Sequence, residues 1–159
     1  MIYFHFEADH EDIRKHADDH VFIRLLAFWE LWSTRDSELP KLTDERRAAL
    51  RWCRANLSEI KNVDGSDWLY ESFGSQVAQE SGFDLSGMRV SELPNDIADL
   101  EQSHLCRTLT TQQPLYVTKR TSATRTRTTW EQILLPFMST SGQFSVLSYS
   151  LPVSQRYQV

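Results

Sequence analysis

Residues 130–151, WEQILLPFMSTSGQFSVLSYSL, carry the pattern that decides the fold. Ile133, Leu135 and Phe137 occupy alternate positions of its first half, and apolar residues return in its second half after the Ser/Gly-rich segment 139–143. Alternation of period two on both sides of a turn predicts a β-hairpin. Two strands bury too little apolar surface to offset chain entropy, so the rest of the chain must supply further strands and a helical cover.

The composition bounds the class of protein. The chain has 159 residues, of which 40% are hydrophobic and 11% aromatic, which is enough for the core of one domain. Its net charge of −5 argues against general nucleic-acid binding, because phosphate contacts need a dense basic surface. It contains no apolar run long enough to cross a membrane and no signal-peptide pattern, so we expect a soluble, cytoplasmic protein. Cys53 and Cys106 belong to no disulfide or zinc motif.

A helix is predicted near the N-terminus, where an apolar stripe of helical period follows the charged stretch 7–20 and ends before Leu39-Pro40. A face this aromatic either packs on the domain or pairs with a second copy of itself, and we expect the homodimer. The predicted dimer interface consists of Phe22, Leu25, Leu26, Trp29 and Trp32. We therefore assign residues 1–40 to an N-terminal dimerisation helix.

The remaining segments alternate between helical and strand patterns. Thr43 is placed to cap a helix over 46–56, Asp64-Gly65 turns a hairpin over 57–73, and Gly82 and Gly87 break the region 75–93 into short helical turns. A longer helix over 94–110 and a strand over 115–119 follow. The order predicts an α+β fold, a five-stranded antiparallel sheet with helices on one face, over residues 41–151. A polar tail, 152–159, ends the chain.

Four motifs in this order resemble the PAS-domain family, in particular the small stand-alone PAS-type proteins common in alphaproteobacteria. They are the helix LLAFWELW ending in LP, the block DGSDWLYESFGSQVAQESGFDLSGMRVSEL, the strand entry TTQQPLYV and the closing hairpin, together spanning residues 21–150. The arginine-rich segment 45–56 departs from the family pattern. The resemblance implies dimerisation through the N-terminal helix and a pocket between the concave sheet face and the short helices, used for a small ligand, a cofactor or only for packing.

The pocket that the resemblance implies would have apolar walls with few polar anchors, and Trp130 and Tyr149 would contribute an N–H and an O–H group. The alternative is an ordinary core filled by side chains. The predicted pocket residues are Phe73, Val77, Phe83, Leu85, Met88, Leu93, Leu105, Tyr116, Trp130, Leu134 and Tyr149.

No motif of a nucleophile with its base, a phosphate-binding loop or a dinucleotide fingerprint occurs in the sequence, so we expect no enzyme. His16 and His20 are spaced to put two imidazoles on one helical face for a divalent metal, but nothing fixes the remaining ligands, so a solvated, charged helix start is the favoured interpretation and we expect no metal. We likewise expect no cofactor.

Two residues on the predicted long helix are candidates for the cofactor chemistry that the resemblance implies. His104 matches the helix that provides the axial histidine in haem-binding PAS sensors, and the alternative is a surface or hydrogen-bonded histidine. Cys106, in HLCRTL, resembles the photoactive cysteine loop of flavin-binding PAS domains, but the neighbouring asparagine and the downstream glutamine of that motif are absent. A small core residue is the simpler interpretation of Cys106.

The basic patch lies in the threonine-rich link between the third and fourth predicted strands. It either grips an anionic ligand or partner, or is a solvated loop whose charges prevent strand-to-strand aggregation. Its members are Lys119, Arg120, Arg125 and Arg127.

Two functions fit these patterns. The first is a stand-alone PAS-type sensory or regulatory domain that binds a small molecule or a partner and signals by protein contact, because only nine residues follow Ser150. The second is a structural interaction module with a filled core and an aromatic helix as its partner surface.

Overall fold

The computed structural model describes residues 2–121 and 128–153, which form one sheet between two helical layers. Neighbouring strands on the main path of the sheet are antiparallel. Their order across the sheet is β1 (Ile2–Asp9), β5 (Leu115–Thr121), β6 (Thr128–Ser139), β7 (Phe144–Pro152), β3 (Leu57–Val63) and β4 (Asp67–Ser72). A two-residue strand, β2 (Lys41–Leu42), pairs parallel to the end of β6. The predicted α+β class is confirmed, but six full strands replace the predicted five.

Five α-helices lie on the two faces of this sheet. They are α1 (Ile13–His16), α2 (His20–Asp36), α3 (Asp44–Ala49), α4 (Ser75–Ser81) and α5 (Asn95–Thr111), and 3-10 turns occur at His10–Asp12, Arg51–Asn56 and Val90–Glu92. The helix predicted over 46–56 therefore starts two residues earlier, where the Thr43 hydroxyl accepts the Arg46 N–H at 3.2 Å, and continues as a 3-10 turn. Among the described residues, none of the helices combines the length and the apolarity needed to span a bilayer.

Both hairpins predicted from the sequence are present. β6 and β7 pair from Trp130 opposite Pro152 to Met138 opposite Phe144, and β3 and β4 pair around the Asp64-Gly65 turn. Every residue of β6 from Trp130 to Phe137 is buried, including those on both faces of the strand. A central strand that is buried on both faces needs cover on both sides. The expectation of helices on one face is therefore wrong, and the burial of both faces of β6 is the physical reason.

Helix α2 covers the first face of the sheet. The ring of Phe22 packs edge-on against Tyr116 and Tyr149, at centroid distances of 5.8 and 5.4 Å. The Trp29 indole N–H donates to the Pro136 carbonyl at 2.7 Å. The five side chains predicted as a dimer interface, Phe22, Leu25, Leu26, Trp29 and Trp32, are at most 5% exposed. The same chain covers them, so this face is interior packing and the assignment of these residues to a dimer interface is corrected.

The first strand was not predicted. Residues 2–9 were assigned to the N-terminal helical unit, but they form β1 at one edge of the sheet, paired with β5 along its length. Alternation along β1 turns Ala8 toward α2, and it turns His5 and Glu7 toward α5. The N-terminal unit is thus an edge strand followed by a helix, and both belong to the same three-layer structure.

Candidate functional site

A cavity of about 550 Å³ lies between the second face of the sheet and the helices α4 and α5. Its helical wall is apolar and its floor, on the sheet, is polar. The wall includes Phe73, Val77, Leu85, Met88, Leu93 and Ile97, with Phe83 at the rim and Trp130 on the sheet. The floor includes Ser58, Gln132, Ser148 and Ser150. Pockets for small molecules have this volume and this division between apolar walls and a few polar groups.

Seven of the eleven predicted pocket residues line the cavity, namely Phe73, Val77, Phe83, Leu85, Met88, Leu93 and Trp130. Tyr116 and Tyr149 do not, because side chains of a strand alternate and these two rings lie on the α2 face against Phe22. Burial there raises the pKa of Tyr149 to about 12. Leu105 and Leu134 are fully buried in the core cluster on the cavity side.

The polar floor centres on Gln132 and Ser148, which the sequence analysis did not assign to the pocket. The Gln132 amide N–H donates to the Ser148 hydroxyl at 2.6 Å. The amide oxygen of Gln132 is buried and has no hydrogen-bond partner among the described residues. The signal in the sequence was that Gln132 shares one side of the strand with the apolar residues Trp130 and Leu134.

This pair leaves two groups for a ligand. The Gln132 carbonyl is a free acceptor, and the Ser148 hydroxyl, which accepts from Gln132, still has its own proton to donate. A buried carbonyl without a partner costs about 1–3 kcal/mol, which a ligand N–H or O–H recovers. The floor can therefore hold a molecule that presents a donor next to an acceptor.

One ion pair forms part of the wall. Lys119 donates to the Glu101 carboxylate, and both residues line the cavity. Burial acts to raise the pKa of Glu101, but the positive charge of Lys119, the electrostatic interaction with His104 and the hydrogen bond from Lys119 outweigh it, so the pKa is lowered. Glu101 stays ionised, and the pair contributes no net charge to the cavity.

The predicted anion patch is not assembled on the described residues. Lys119 is neutralised by Glu101 on the cavity side of β5, whereas the adjacent Arg120 is exposed. Successive residues of a strand point to opposite faces, so the two cations do not converge. Arg125 and Arg127 lie outside the described residues. The rim of the cavity carries Asp84, Glu92 and Asp96 instead, which makes it acidic.

The remaining candidate residues are dispersed. His16 ends α1 and His20 begins α2, with an extended residue, Ala17, between the helices, so the two histidines share no helical face. His104 is fully buried but does not line the cavity. Cys106 is exposed, and burial raises the pKa of the Cys53 thiol to about 11.

Neither protein-family models nor curated proteins give a match to this sequence. The resemblance to PAS domains therefore rests on the four sequence motifs.

Proposed function

We propose that this chain is a PAS-type sensory or regulatory domain that binds a small ligand in the cavity and passes the signal on by protein contact. One observation carries the proposal: a space of about 550 Å³ has apolar walls and a buried, unpartnered Gln132 carbonyl at its floor. Such a space is costly to leave empty, because both its apolar surface and its carbonyl gain from a bound molecule.

The arrangement of the elements supports the PAS-type interpretation. The five strands β3 to β7 are contiguous in the sheet and antiparallel. Helix α4, the 3-10 turn at Val90–Glu92 and helix α5 lie over one face of them. The resemblance implies a five-stranded layer with a helix-covered pocket, and this arrangement supports that expectation. Strand β1 and helix α2 extend this unit at its edge and on its opposite face.

The lining also indicates the class of ligand. The acidic side chains at the rim, Asp84, Glu92 and Asp96, repel anions, and the Glu101–Lys119 pair provides no free cation to hold one. The floor offers an acceptor beside a donor at Gln132 and Ser148. The favoured ligand is a neutral or cationic, mostly apolar molecule with an amide-like edge, such as a heteroaromatic ring of the nucleobase type.

The alternative function, a structural module with a filled core and no ligand, is less well supported. It required side chains to fill the space above the sheet and the aromatic face of α2 to be open for a partner. The cavity remains between the side chains, and the α2 face is covered by the sheet.

A thermal-melting panel tests the proposal. It contains neutral nucleobases and nucleosides, aromatic amines, nucleotides and fatty acids. A neutral or cationic ring compound at about 100 times its Kd adds roughly 2.7 kcal/mol to the unfolding free energy, which raises the Tm by roughly 5–10 °C. Nucleotides and fatty acids should have no effect because of the acidic rim. If no class moves the melting temperature, the ligand-binding function fails and the structural module replaces it.

A matched pair of variants locates the binding. Gln132→Met keeps the shape of the side chain and removes its amide, so the compound that stabilises the wild type should bind about tenfold more weakly. Gln143→Met makes the same change in the exposed turn between β6 and β7 and should leave the affinity unchanged. Equal affinities in the two variants would place the ligand elsewhere on the protein.

A further inference from the structure

We infer that His5 and Glu7 of β1 and His104 of α5 form a binding site for a divalent transition-metal cation such as Zn²⁺. The site is separate from the ligand cavity, since none of the three residues lines it. It joins the edge strand of the sheet to the longest helix on that face.

The backbone brings the three side chains together. His5 and Glu7 are two residues apart on β1, so they point to the same face, and α5 places His104 above them. The Glu7 Oε1 atom lies 2.9 Å from His104 Nε2 and 3.7 Å from His5 Nε2. One ligand atom from each residue lies within 4.8 Å of the others. Two ligands of a tetrahedral zinc ion with ordinary bond lengths are about 3.3 Å apart, so small side-chain rotations complete the site.

The state of His104 is the second, independent observation. Its ring is fully buried, yet neither ring nitrogen makes a hydrogen bond among the described residues. The 2.9 Å approach to Glu7 is therefore an electrostatic contact that departs from hydrogen-bond geometry. Buried imidazole nitrogens without partners are costly, and coordination of a cation satisfies the Nε2 atom of His104.

The surroundings of Glu7 orient it toward the ion. Arg107 of α5 donates to the Glu7 Oε2 atom and also to Asp9, which leaves Oε1 facing the two imidazoles. Hydrogen bonds from residues around a metal site fix which oxygen of a carboxylate faces the metal. The His5 side chain is 44% exposed, so an ion can enter from solvent and keep a water as its fourth ligand. Two imidazoles and one carboxylate select zinc, cobalt or nickel over magnesium and calcium.

The test is a titration of the full chain, freed of metal with a chelator, with ZnCl₂ by calorimetry and with CoCl₂ by visible absorption. We expect one Zn²⁺ per chain, a rise in Tm, and the absorption of a four-coordinate cobalt complex. His5→Ala and Glu7→Gln should each weaken Zn²⁺ binding by about 100-fold while the chain stays folded, because His5 is exposed and Glu7 partly exposed.

His16→Ala and His20→Ala are the matched controls, because both histidines are exposed near the N-terminus and belong to no cluster with a third ligand among the described residues. They should bind Zn²⁺ like the wild type. Loss of binding in these controls, unchanged affinity in a folded His5→Ala chain, or a wild type that binds no Zn²⁺ at a 1:1 ratio would overturn the site. The heteroaromatic panel is measured without metal, so failure of the cavity ligand leaves this result intact.

Discussion

At the scale of single residues, Gly74 sets how closely the start of α4 approaches the 3-10 turn at Arg51–Asn56. A Cβ atom added there would lie 2.7 Å from the Ala55 carbonyl oxygen and 3.0 Å from the Asn56 carbonyl carbon. Its φ of −59° is available to any residue, so the close backbone approach alone requires glycine. The Gly74 N–H also donates to the Ser58 hydroxyl at 3.1 Å, which ties the start of α4 to β3.

The close backbone contact at Gly74 can be tested by mutation. Gly74→Ala should lower the unfolding free energy by about 1–3 kcal/mol, because rigid backbone atoms must move to admit the methyl group. Ser75→Ala, at the neighbouring exposed position, should change it by less than about 0.5 kcal/mol. Urea denaturation measures both. Equal midpoints for the two variants would show that the Gly74 contact is not tight in solution.

The sequence was least informative about the site at this scale. The pocket that the resemblance implies includes seven of the lining residues, but it does not include Gln132 and Ser148. Whether a strand residue faces one layer or the other depends on which helix covers which face, and that is a property of the whole fold. Tyr149 and Ser148 are adjacent in the chain and lie on opposite sides of the sheet for this reason.

At the scale of elements, one ion pair joins the end of α2 to α3. Both nitrogens at the tip of the Arg46 guanidinium donate to the Asp36 carboxylate, at 2.6 and 3.0 Å, and the Lys41 N–H donates to it at 2.9 Å. These contacts lower the pKa of Asp36 to about 2, and the hydrogen bond from Arg46 makes the largest contribution to the shift. Burial acts in the opposite direction but is outweighed.

A carboxyl group with a lowered pKa in the folded state stabilises the protein above its ordinary pKa. The contribution of Asp36, about 1–2 kcal/mol, should thus be complete at pH 6 and should disappear as the pH falls from about 4 to 2. Asp36→Asn should be less stable than the wild type at pH 6 and approach it near pH 2.5, in urea melts. Asp44→Asn, whose side chain is fully exposed, should stay close to the wild type across the same pH range. A constant gap between Asp36→Asn and wild type across this pH range would contradict the assignment.

The elements themselves were largely predictable. Periodicity of two and of 3.6, with glycine turns between, placed both hairpins, α2 and α5 close to their observed bounds. Strand β1 was missed because its eight residues stand at the edge of the sheet, beside a strand that is more than a hundred residues later in the sequence. Alternation over so short a segment is weak evidence, and the charged stretch after it favoured a helical interpretation of the whole N-terminus.

At the scale of the whole molecule, the sequence led us to expect that a second copy covers the aromatic face of α2. The structure has Trp29 at 3% exposure with its indole N–H bonded to Pro136 of the central strand β6. The aromatic face of α2 is thus covered by the sheet of the same chain. The homodimer itself stays a proposal, for which light scattering is the direct measurement, and any such contact must use other surfaces.

The dependence of stability on protein concentration distinguishes a helix face covered by the same chain from one covered by a second copy. Trp29→Asp buries a charge and opens a cavity, so it should lower the unfolding free energy by more than about 3 kcal/mol, by the same amount at low and high protein concentration. Leu31→Asp, on the outer side of the same helix at 46% exposure, should have little effect. If α2 were instead buried between two copies, the wild-type Tm would rise with concentration and the Trp29→Asp chain would lose that dependence, because only a bimolecular equilibrium responds to mass action.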